Sequence, residues 1–204
     1  MAPRFIIGLT GNIASGKSAV ASMLTAMGAD VVDADRVAHE VLAAGTEETR
    51  AVAARFGSGV LRDDGSVDRT RLGAIVFGDP VALAALEEIV HPGTRRRILG
   101  HIAASKTEVG VIEAIKLLEG PLVDRVHAVW VVIAPREARI RRLVQQRGMS
   151  AEDAAQRVDA QNPEEDKVAR ADVIIRNDGT LADLRSAVQG HWNQVVEVLR
   201  SSDR

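Results

Sequence analysis

The stretch Gly11-Asn12-Ile13-Ala14-Ser15-Gly16-Lys17-Ser18 decides the fold, because it has the pattern G-x-x-x-x-G-K-[ST] of a phosphate-binding P-loop. It follows an apolar run at residues 5–9, which predicts a buried strand, and it precedes a helix-forming run at residues 19–24. A strand, this loop and a helix in that order form the context that the motif requires. The sequence therefore predicts a polyphosphate site at the first turn of an α/β domain.

Each residue type in the loop has a physical task. Glycine lets the backbone turn its N–H groups inward around phosphate oxygens, and the start of the following helix adds the positive end of its dipole. We expect Lys17 to reach the β- and γ-phosphates and the Ser18 hydroxyl to bind Mg²⁺. The residues predicted to contact the nucleotide here are Gly11, Asn12, Ile13, Ala14, Ser15, Gly16, Lys17, Ser18 and Ala19.

The amino-acid composition of the chain argues against several classes of function. Only 2% of the 204 residues are aromatic and the formal net charge is −2, so base-stacking platforms and a broad basic surface are both missing, and no nucleic-acid partner is expected. The chain has no cysteine, which excludes disulfides and thiolate metal sites. Its apolar runs are short for a signal peptide or a membrane span. We therefore expect no membrane partner and a cytoplasmic location.

Four more apolar runs predict strands, at residues 30–35, 110–113, 128–133 and 172–176. Helical periodicity fills most of the intervening chain, and strands that alternate with helices indicate a parallel sheet covered on both faces. Residues 46–104 contain no clear strand, and periodicity predicts helices at 47–56, 69–77 and 80–104. We expect the last of these helices to break at His91-Pro92, because proline disrupts a helix interior.

The predicted fold class is α/β: a three-layer sandwich like that of P-loop kinases, with a five-stranded parallel sheet, a helical substrate-domain insertion and a helical lid. The predicted nucleotide-binding core comprises residues 1–45, 105–135 and 166–204. The helical substrate domain is predicted at residues 46–104 and the lid at residues 136–165. The lid prediction rests on an arginine-rich helix that starts after Pro135.

Motif absences separate the classes of P-loop protein. No glycine has an aspartate three positions before it and no asparagine precedes a lysine, so the D-x-x-G and N-K-x-D motifs of signalling GTPases are missing. A small-molecule kinase needs a P-loop for ATP, a base near the acceptor hydroxyl, a cover over the acceptor and arginines near the transferred group. Asp33, at the end of the second predicted strand, is the candidate base. A kinase for a nucleoside or nucleotide and a non-catalytic nucleotide-binding module remain alternatives.

Motifs along nearly the whole chain resemble one family of kinases. They are the P-loop, Asp33-Ala34-Asp35 with His39-Glu40, Leu86-Glu87-Glu88-Ile89-Val90-His91-Pro92, the arginines 139, 142, 147 and 157 with Gln161, and Ala171-Asp172-Val173-Ile174-Ile175-Arg176-Asn177. Together they resemble dephospho-CoA kinase. The resemblance implies transfer of the ATP γ-phosphoryl group to the ribose 3′-hydroxyl of dephospho-CoA, the last step of coenzyme A synthesis.

One segment departs from the family pattern. The family usually has Pro-Leu-Leu-Phe-Glu after the third strand, where this chain has Ile115-Lys116-Leu117-Leu118-Glu119. The proline is missing and a lysine replaces an apolar residue, while Glu119 keeps its place. The departure concerns the local backbone path and a substrate contact, and it leaves the phosphate site unchanged.

Several candidate site residues have both a functional and a structural interpretation. Asp33 is the candidate general base or a helix cap, and Asp35 and Glu113 are candidate metal-shell or substrate contacts or caps. Arg142 is the expected main lid arginine, assisted by Arg139 and Arg147, and Arg136 and Arg141 are expected on the surface. Asn177 is a candidate frame for adenine or a turn residue.

The acceptor side is less determined. The residues expected to contact dephospho-CoA are Asp33, Asp35, His91, Arg95 and Glu119. For His91 the alternative is a structural residue fixed by Pro92, and Arg95 could simply begin a basic helical segment. The favoured oligomeric state is the monomer.

Overall fold

The computed structural model describes residues 3–201, and these form two compact units. One unit comprises the chain up to Val32 and from Ile102 onward, and the other comprises Asp33–His101. The helix that follows Asp33 therefore groups with the helical unit, 13 residues before the predicted domain boundary at residue 46.

The α-helices within the described residues are α1 (Lys17–Ala26), α2 (Ala34–Glu40), α3 (Glu47–Phe56), α4 (Arg69–Val76), α5 (Pro80–Ala104), α6 (Arg136–Arg147), α7 (Ala151–Asp159), α8 (Glu164–Val168) and α9 (Leu181–Ser201). The strands are β1 (Phe5–Thr10), β2 (Asp30–Asp33), β3 (Val109–Glu113), β4 (Ala128–Ile133) and β5 (Val173–Arg176). None of these described helices is both long enough and apolar enough to cross a membrane.

The strands form one sheet in the order β2-β3-β1-β4-β5, and β1 pairs in parallel with both β3 and β4. This confirms the predicted α/β class and the five strands. The P-loop begins directly after Thr10, the last residue of β1, so it lies at the carboxyl end of the central strand. The register places Leu9 opposite Glu113 on one side and opposite Trp130 on the other.

Side-chain alternation along β4 explains how both faces of the sheet are covered. Trp130 and Val132 belong to the core that α1 and α9 complete, and Val129 and Val131 belong to a second cluster on the opposite face. The second cluster is completed by short 3₁₀ turns after β3 and by Val168 of α8. A strand buried on both faces reads as the continuous apolar run seen at residues 128–133.

The helical unit has a core of its own, formed by small and branched apolar side chains of α3, α4, α5 and the turn between α3 and α4. Thr46 caps α3 by accepting a hydrogen bond from the Thr49 N–H, and Asp68 caps α4. These caps satisfy backbone donors that a helix leaves without partners. The helix bounds agree with the predicted periodicity to within one residue.

The predicted break at His91-Pro92 is wrong, since α5 continues through Pro92 to Ala104. Proline removes one intrahelical hydrogen bond, to the carbonyl of Glu88, and its ring crowds the preceding turn. Both Pro92 and Glu88 lie on the exposed face of α5. Water can therefore solvate the carbonyl, and packing of the buried face keeps the helix continuous.

Candidate active site

The P-loop adopts a conformation that needs glycine at two positions. Gly16 caps α1 with φ of +108°, and Gly11 has φ of +151°. A Cβ atom on Gly16 would collide with the Asn177 amide, and one on Gly11 would collide with the carbonyl oxygen of Val132. Glycine is therefore required at both positions for two reasons. The φ angles are positive, and the residues at the ends of neighbouring strands leave no room for a Cβ atom.

The outer side of the loop is held by side chains that bind its carbonyl groups. Arg142 donates through Nη1 to the carbonyl oxygens of Ala14 and Ser15, at 3.0 and 3.1 Å. Asn177 Nδ2 also donates to the Ser15 oxygen, at 2.7 Å. Because C=O and the following N–H point in opposite directions across a trans peptide, the Gly16 N–H faces the inner side. The first N–H groups of α1 lack intrahelical acceptors, so together they form an anion-binding concavity.

Lys17 is buried at the base of this concavity. Its Nζ donates to the carbonyl oxygen of Gly11 at 2.9 Å and to that of Asn12 at 3.4 Å. The loop's own backbone therefore holds the ammonium group. This arrangement favours phosphate binding, because a charge already desolvated and oriented acts more strongly on an anion.

Ser18 and Glu113 bring two hard oxygen donors together. The Ser18 hydroxyl donates to Glu113 Oε1 at 3.4 Å, and Glu113 ends β3 with its side chain buried. Hydroxyl and carboxylate oxygens suit Mg²⁺, which keeps several waters and takes few protein ligands. Within residues 3–201 no cluster of three or more His, Cys, Asp or Glu side chains could hold a metal by itself. The residues present fit a magnesium ion held chiefly by nucleotide phosphates.

The arginines of α6 divide into three environments. Arg142 lies on the loop carbonyls, and its Nη2 donates to the Asn177 carbonyl oxygen at 3.0 Å. Partial burial, and to a lesser extent the positive charge of Arg141, lowers the pKa of Arg142 below its ordinary value. Arg139 is buried and binds the Val158 carbonyl and Glu164, so its contacts stay within the lid segment.

The remaining α6 arginines lie at the surface. Arg136 and Arg141 are exposed, as predicted, and Arg136 forms a bidentate pair with Asp159. Arg147, the other expected assistant of Arg142, is exposed at the end of α6. Arg142 is therefore the arginine of this helix that the structure brings to the P-loop.

The tip of the loop is also in contact with α6 and α7. Ile13 and Ala14 pack against an apolar cluster that includes Leu143 and Val158. The Ile13 N–H donates to Gln161 Oε1 at 2.7 Å, so this N–H is directed to a side chain rather than into the phosphate concavity. Gln161 is one of the residues that carry the family resemblance, but its role could not be predicted, because a side chain that binds backbone 148 residues away leaves no local pattern.

In the helical unit, Asp33 is the N-cap of α2. Its Oδ1 accepts hydrogen bonds from the N–H groups of Asp35 and Arg36, at 2.9 and 3.0 Å. Among the described residues, Oδ2 of the same carboxylate accepts no hydrogen bond. Asp33 is therefore a helix cap through Oδ1, while Oδ2 remains available to accept a hydrogen bond from another group.

His91 and Arg95 lie one turn apart on α5, and both are exposed. Residues four apart on a continuous helix share a face, so the helix presents an imidazole beside a guanidinium. Asp35 is exposed in the first turn of α2. The structure therefore offers all three side chains to solvent within the helical unit.

The segment that departs from the family pattern is nevertheless well fixed. The Thr10 hydroxyl donates to the Ile115 carbonyl at 3.1 Å, and Arg170 donates to the Leu118 carbonyl at 2.7 Å. Leu117 is buried against Gly8 of β1. Glu119, at the end of this 3₁₀ turn, is exposed. These contacts fix the backbone of the segment without a proline.

Comparison with known proteins identifies the family. The family model described as "Dephospho-CoA kinase" (CoaE) matches residues 5–183. The chain belongs to the dephospho-CoA kinase family. A dephospho-CoA kinase of Geobacter sulfurreducens is 44% identical over 190 residues, which cover 92% of this chain and 96% of the relative.

Solved structures agree with this membership of the dephospho-CoA kinase family. The crystal structure of TT1252 from Thermus thermophilus is 36% identical, with a TM-score of 0.81 over 95% of this chain and 98% of that one. A dephospho-CoA kinase from Campylobacter jejuni is 27% identical, with a TM-score of 0.60 over 93% of this chain and 96% of that one. As a member of a kinase family, the chain is an ATP-using phosphotransferase with a P-loop fold.

Proposed function

We propose that this chain transfers the γ-phosphoryl group of ATP to the ribose 3′-hydroxyl of dephospho-CoA, giving CoA and ADP. The observation that carries the proposal is the preassembled P-loop, with Lys17 buried on its carbonyls, in a chain of the dephospho-CoA kinase family. In the reaction the 3′-oxygen forms a bond to the γ-phosphorus, the bond from that phosphorus to the β–γ bridging oxygen breaks, and ADP leaves.

On the donor side, the N–H groups of Gly16, Lys17 and Ser18 and the Lys17 ammonium would hold the phosphates. Lys17 would also stabilise charge that develops on the leaving ADP oxygen. Arg142 and Asn177, which share the Ser15 carbonyl, would fix the loop and border the adenine. Mg²⁺, held by Ser18 with Glu113 beside it, would supply neutralisation of the β- and γ-phosphate charge.

On the acceptor side, Asp33 would take the proton of the 3′-hydroxyl. Its Oδ1 is committed to the cap of α2, which fixes the carboxylate, and its Oδ2 is the oxygen that would act as base. Arg95 and His91 would meet a phosphate group of dephospho-CoA, since guanidinium and imidazole groups both donate hydrogen bonds to such oxygens. Asp35 and Glu119 would bind its hydroxyl or amide donors.

We further infer that the chain works as a cytoplasmic monomer. The proposed mechanism invokes no residue from a second copy of the chain. Both substrates are intracellular metabolites, which supports the location. Light scattering of the purified protein with and without substrates would test the monomer.

The direct test is an acceptor panel with ATP and Mg²⁺, in which CoA and ADP are both quantified by chromatography. We expect equal amounts of CoA and ADP with dephospho-CoA. Turnover of nucleoside monophosphates but not of dephospho-CoA would assign a different small-molecule kinase. Absence of turnover with every acceptor, while ATP still binds, would favour a non-catalytic nucleotide-binding module.

A further inference from the structure

Two consecutive residues after α7 contact the P-loop from outside. Gln161 Oε1 accepts a hydrogen bond from the Ile13 N–H at 2.7 Å, and the Asn162 carbonyl accepts one from Asn12 Nδ2 at 3.2 Å. The two bonds run side by side between the same two short segments. They tie the end of the predicted lid to the first half of the loop.

The first of these bonds acts on the peptide that also contacts the Lys17 ammonium. The Ile13 N–H and the Asn12 carbonyl belong to one peptide group and therefore point in opposite directions. The Asn12 oxygen accepts from Lys17 Nζ at 3.4 Å and from the Ser15 N–H at 3.2 Å. Gln161 thus holds the outer side of a rigid plane whose inner side holds Lys17 and the loop turn.

The surroundings make this plane sensitive to the loss of a contact. Ala14, which follows Ile13, has φ of +57°. This left-handed conformation costs a residue with a Cβ atom roughly 1 kcal/mol. Such a conformation persists only where its neighbours enforce it. Asn12 is 3% exposed, and Ile13 is partly buried against the apolar cluster of α6 and α7, so solvent has limited access to this peptide plane.

We propose that Gln161 is a positioning residue for phosphoryl transfer, which acts through the Asn12–Ile13 peptide on Lys17. The proposal rests on the proposed function, since it concerns the same reaction. The required property is one acceptor oxygen at the end of a four-atom side chain. Glutamate has this oxygen at the same reach, methionine has the length without it, and asparagine has the oxygen but is one methylene shorter.

The substitution Gln161→Met should lower kcat about tenfold or more, because small displacements of reacting groups cost that much or more in rate. The dissociation constant of ATP, measured without acceptor, should change less than about threefold, since the N-terminus of α1 and the Lys17 charge remain. The KM for dephospho-CoA should stay near that of the unmodified protein. Gln161→Glu should restore most of the lost kcat. A purely structural role would not produce this split with rescue.

Gln145→Met is the matched control, because Gln145 is an exposed glutamine of α6 with no side-chain hydrogen bond among the described residues. Should Gln161→Met fail to fold, as judged by its melting transition, Gln161→Asn carries the same prediction. A kcat within twofold of the unmodified protein for both variants would overturn the inference, as would Gln161→Glu being as slow as Gln161→Met. If the unmodified protein makes no CoA, the proposed function itself is wrong. If it makes CoA and the Gln161→Met and Gln161→Asn variants make it with an unchanged kcat, only this inference is wrong.

Discussion

The P-loop and the helical unit of residues 33–101 present their candidate functional groups in opposite ways. Around the loop, the polar side chains Asn12, Lys17, Glu113 and Asn177 are each at most 9% exposed. In the helical unit, the candidates Asp35, His91 and Arg95 are exposed. One region is a network of mutual contacts, and the other displays side chains on helix surfaces.

The difference follows from the cost of burying polar groups. A buried donor or acceptor needs a partner, so each residue of the loop constrains the others and the donor site is assembled by folding alone. Exposed groups are accessible to water, and a bound substrate can organise them. Changes near the loop should therefore impair the chemical step for any acceptor. Changes at the exposed candidates Asp35, His91 and Arg95 of the helical unit should impair the use of dephospho-CoA in particular.

The largest effect is expected for Lys17→Met. The substitution removes a buried positive charge that the loop carbonyls hold in place, so kcat should fall by about 10³-fold. Lys106→Met is the control, because Lys106 is exposed in the same unit and forms no hydrogen bond or ion pair with another described residue. Steady-state kinetics with CoA as the measured product tests this. A fall of less than tenfold would show that the donor site does not depend on this charge.

Asp33→Asn should lower kcat by about 100-fold, the usual contribution of a positioned general base, while the affinity for ATP stays the same. Asparagine is as good an N-cap as aspartate, so α2 should remain intact. Asp68→Asn provides a close control, since Asp68 caps α4 with the same pair of backbone hydrogen bonds. Turnover unchanged in Asp33→Asn would reduce Asp33 to a structural cap.

Arg95→Ala should raise the KM for dephospho-CoA about tenfold, because a hydrogen bond to a charged group contributes roughly 1.5–3 kcal/mol. The KM for ATP should not change. Arg97→Ala is the comparison, because Arg97 lies on the same helix but points elsewhere and donates to the Glu40 carbonyl. Equal effects of the two substitutions would mean that the exposed basic charge of α5 matters without a specific contact.

The smallest effect concerns stability alone. Pro92→Ala should restore the intrahelical hydrogen bond to Glu88 and raise the free energy of unfolding by about 1 kcal/mol, after the gain in unfolded-state entropy is subtracted. Pro80→Ala should bring no such gain, because Pro80 is the first residue of α5, where proline is favoured. Urea denaturation of both variants measures the difference. A loss of stability in Pro92→Ala would indicate that the helix needs the proline.

Local patterns made the framework predictable. All five strands and the helices of the insertion follow from periodicity, because apolar spacing records which face is buried. The P-loop follows from a motif whose glycines are needed by backbone angles and close approach. The helix break predicted at Pro92 is wrong because the free-energy cost of proline in a helix depends on whether the carbonyl without a partner is exposed to water. Tertiary packing determines that exposure.

Long-range side-chain choices were not predictable. Six arginines lie between residues 136 and 157, and the sequence favours Arg142 among them as the main lid arginine. Nothing in their spacing says that Arg142 binds the loop carbonyls while Arg139, its expected assistant, is buried on Val158 and Glu164. The Gln161 bond to Ile13 likewise depends on how α7 packs. Such contacts depend on tertiary packing, so the sequence alone does not predict them.

The most direct test of the proposed reaction follows the transferred group itself. ATP labelled with ¹⁸O in its three terminal γ-phosphoryl oxygens is incubated with the protein, Mg²⁺ and dephospho-CoA, and the product is examined by mass spectrometry and ³¹P NMR. We predict that the label appears in a new phosphate at the ribose 3′ position of CoA, with one ADP formed per CoA. Label found in inorganic phosphate, or at any other position of the acceptor, would contradict the proposed function.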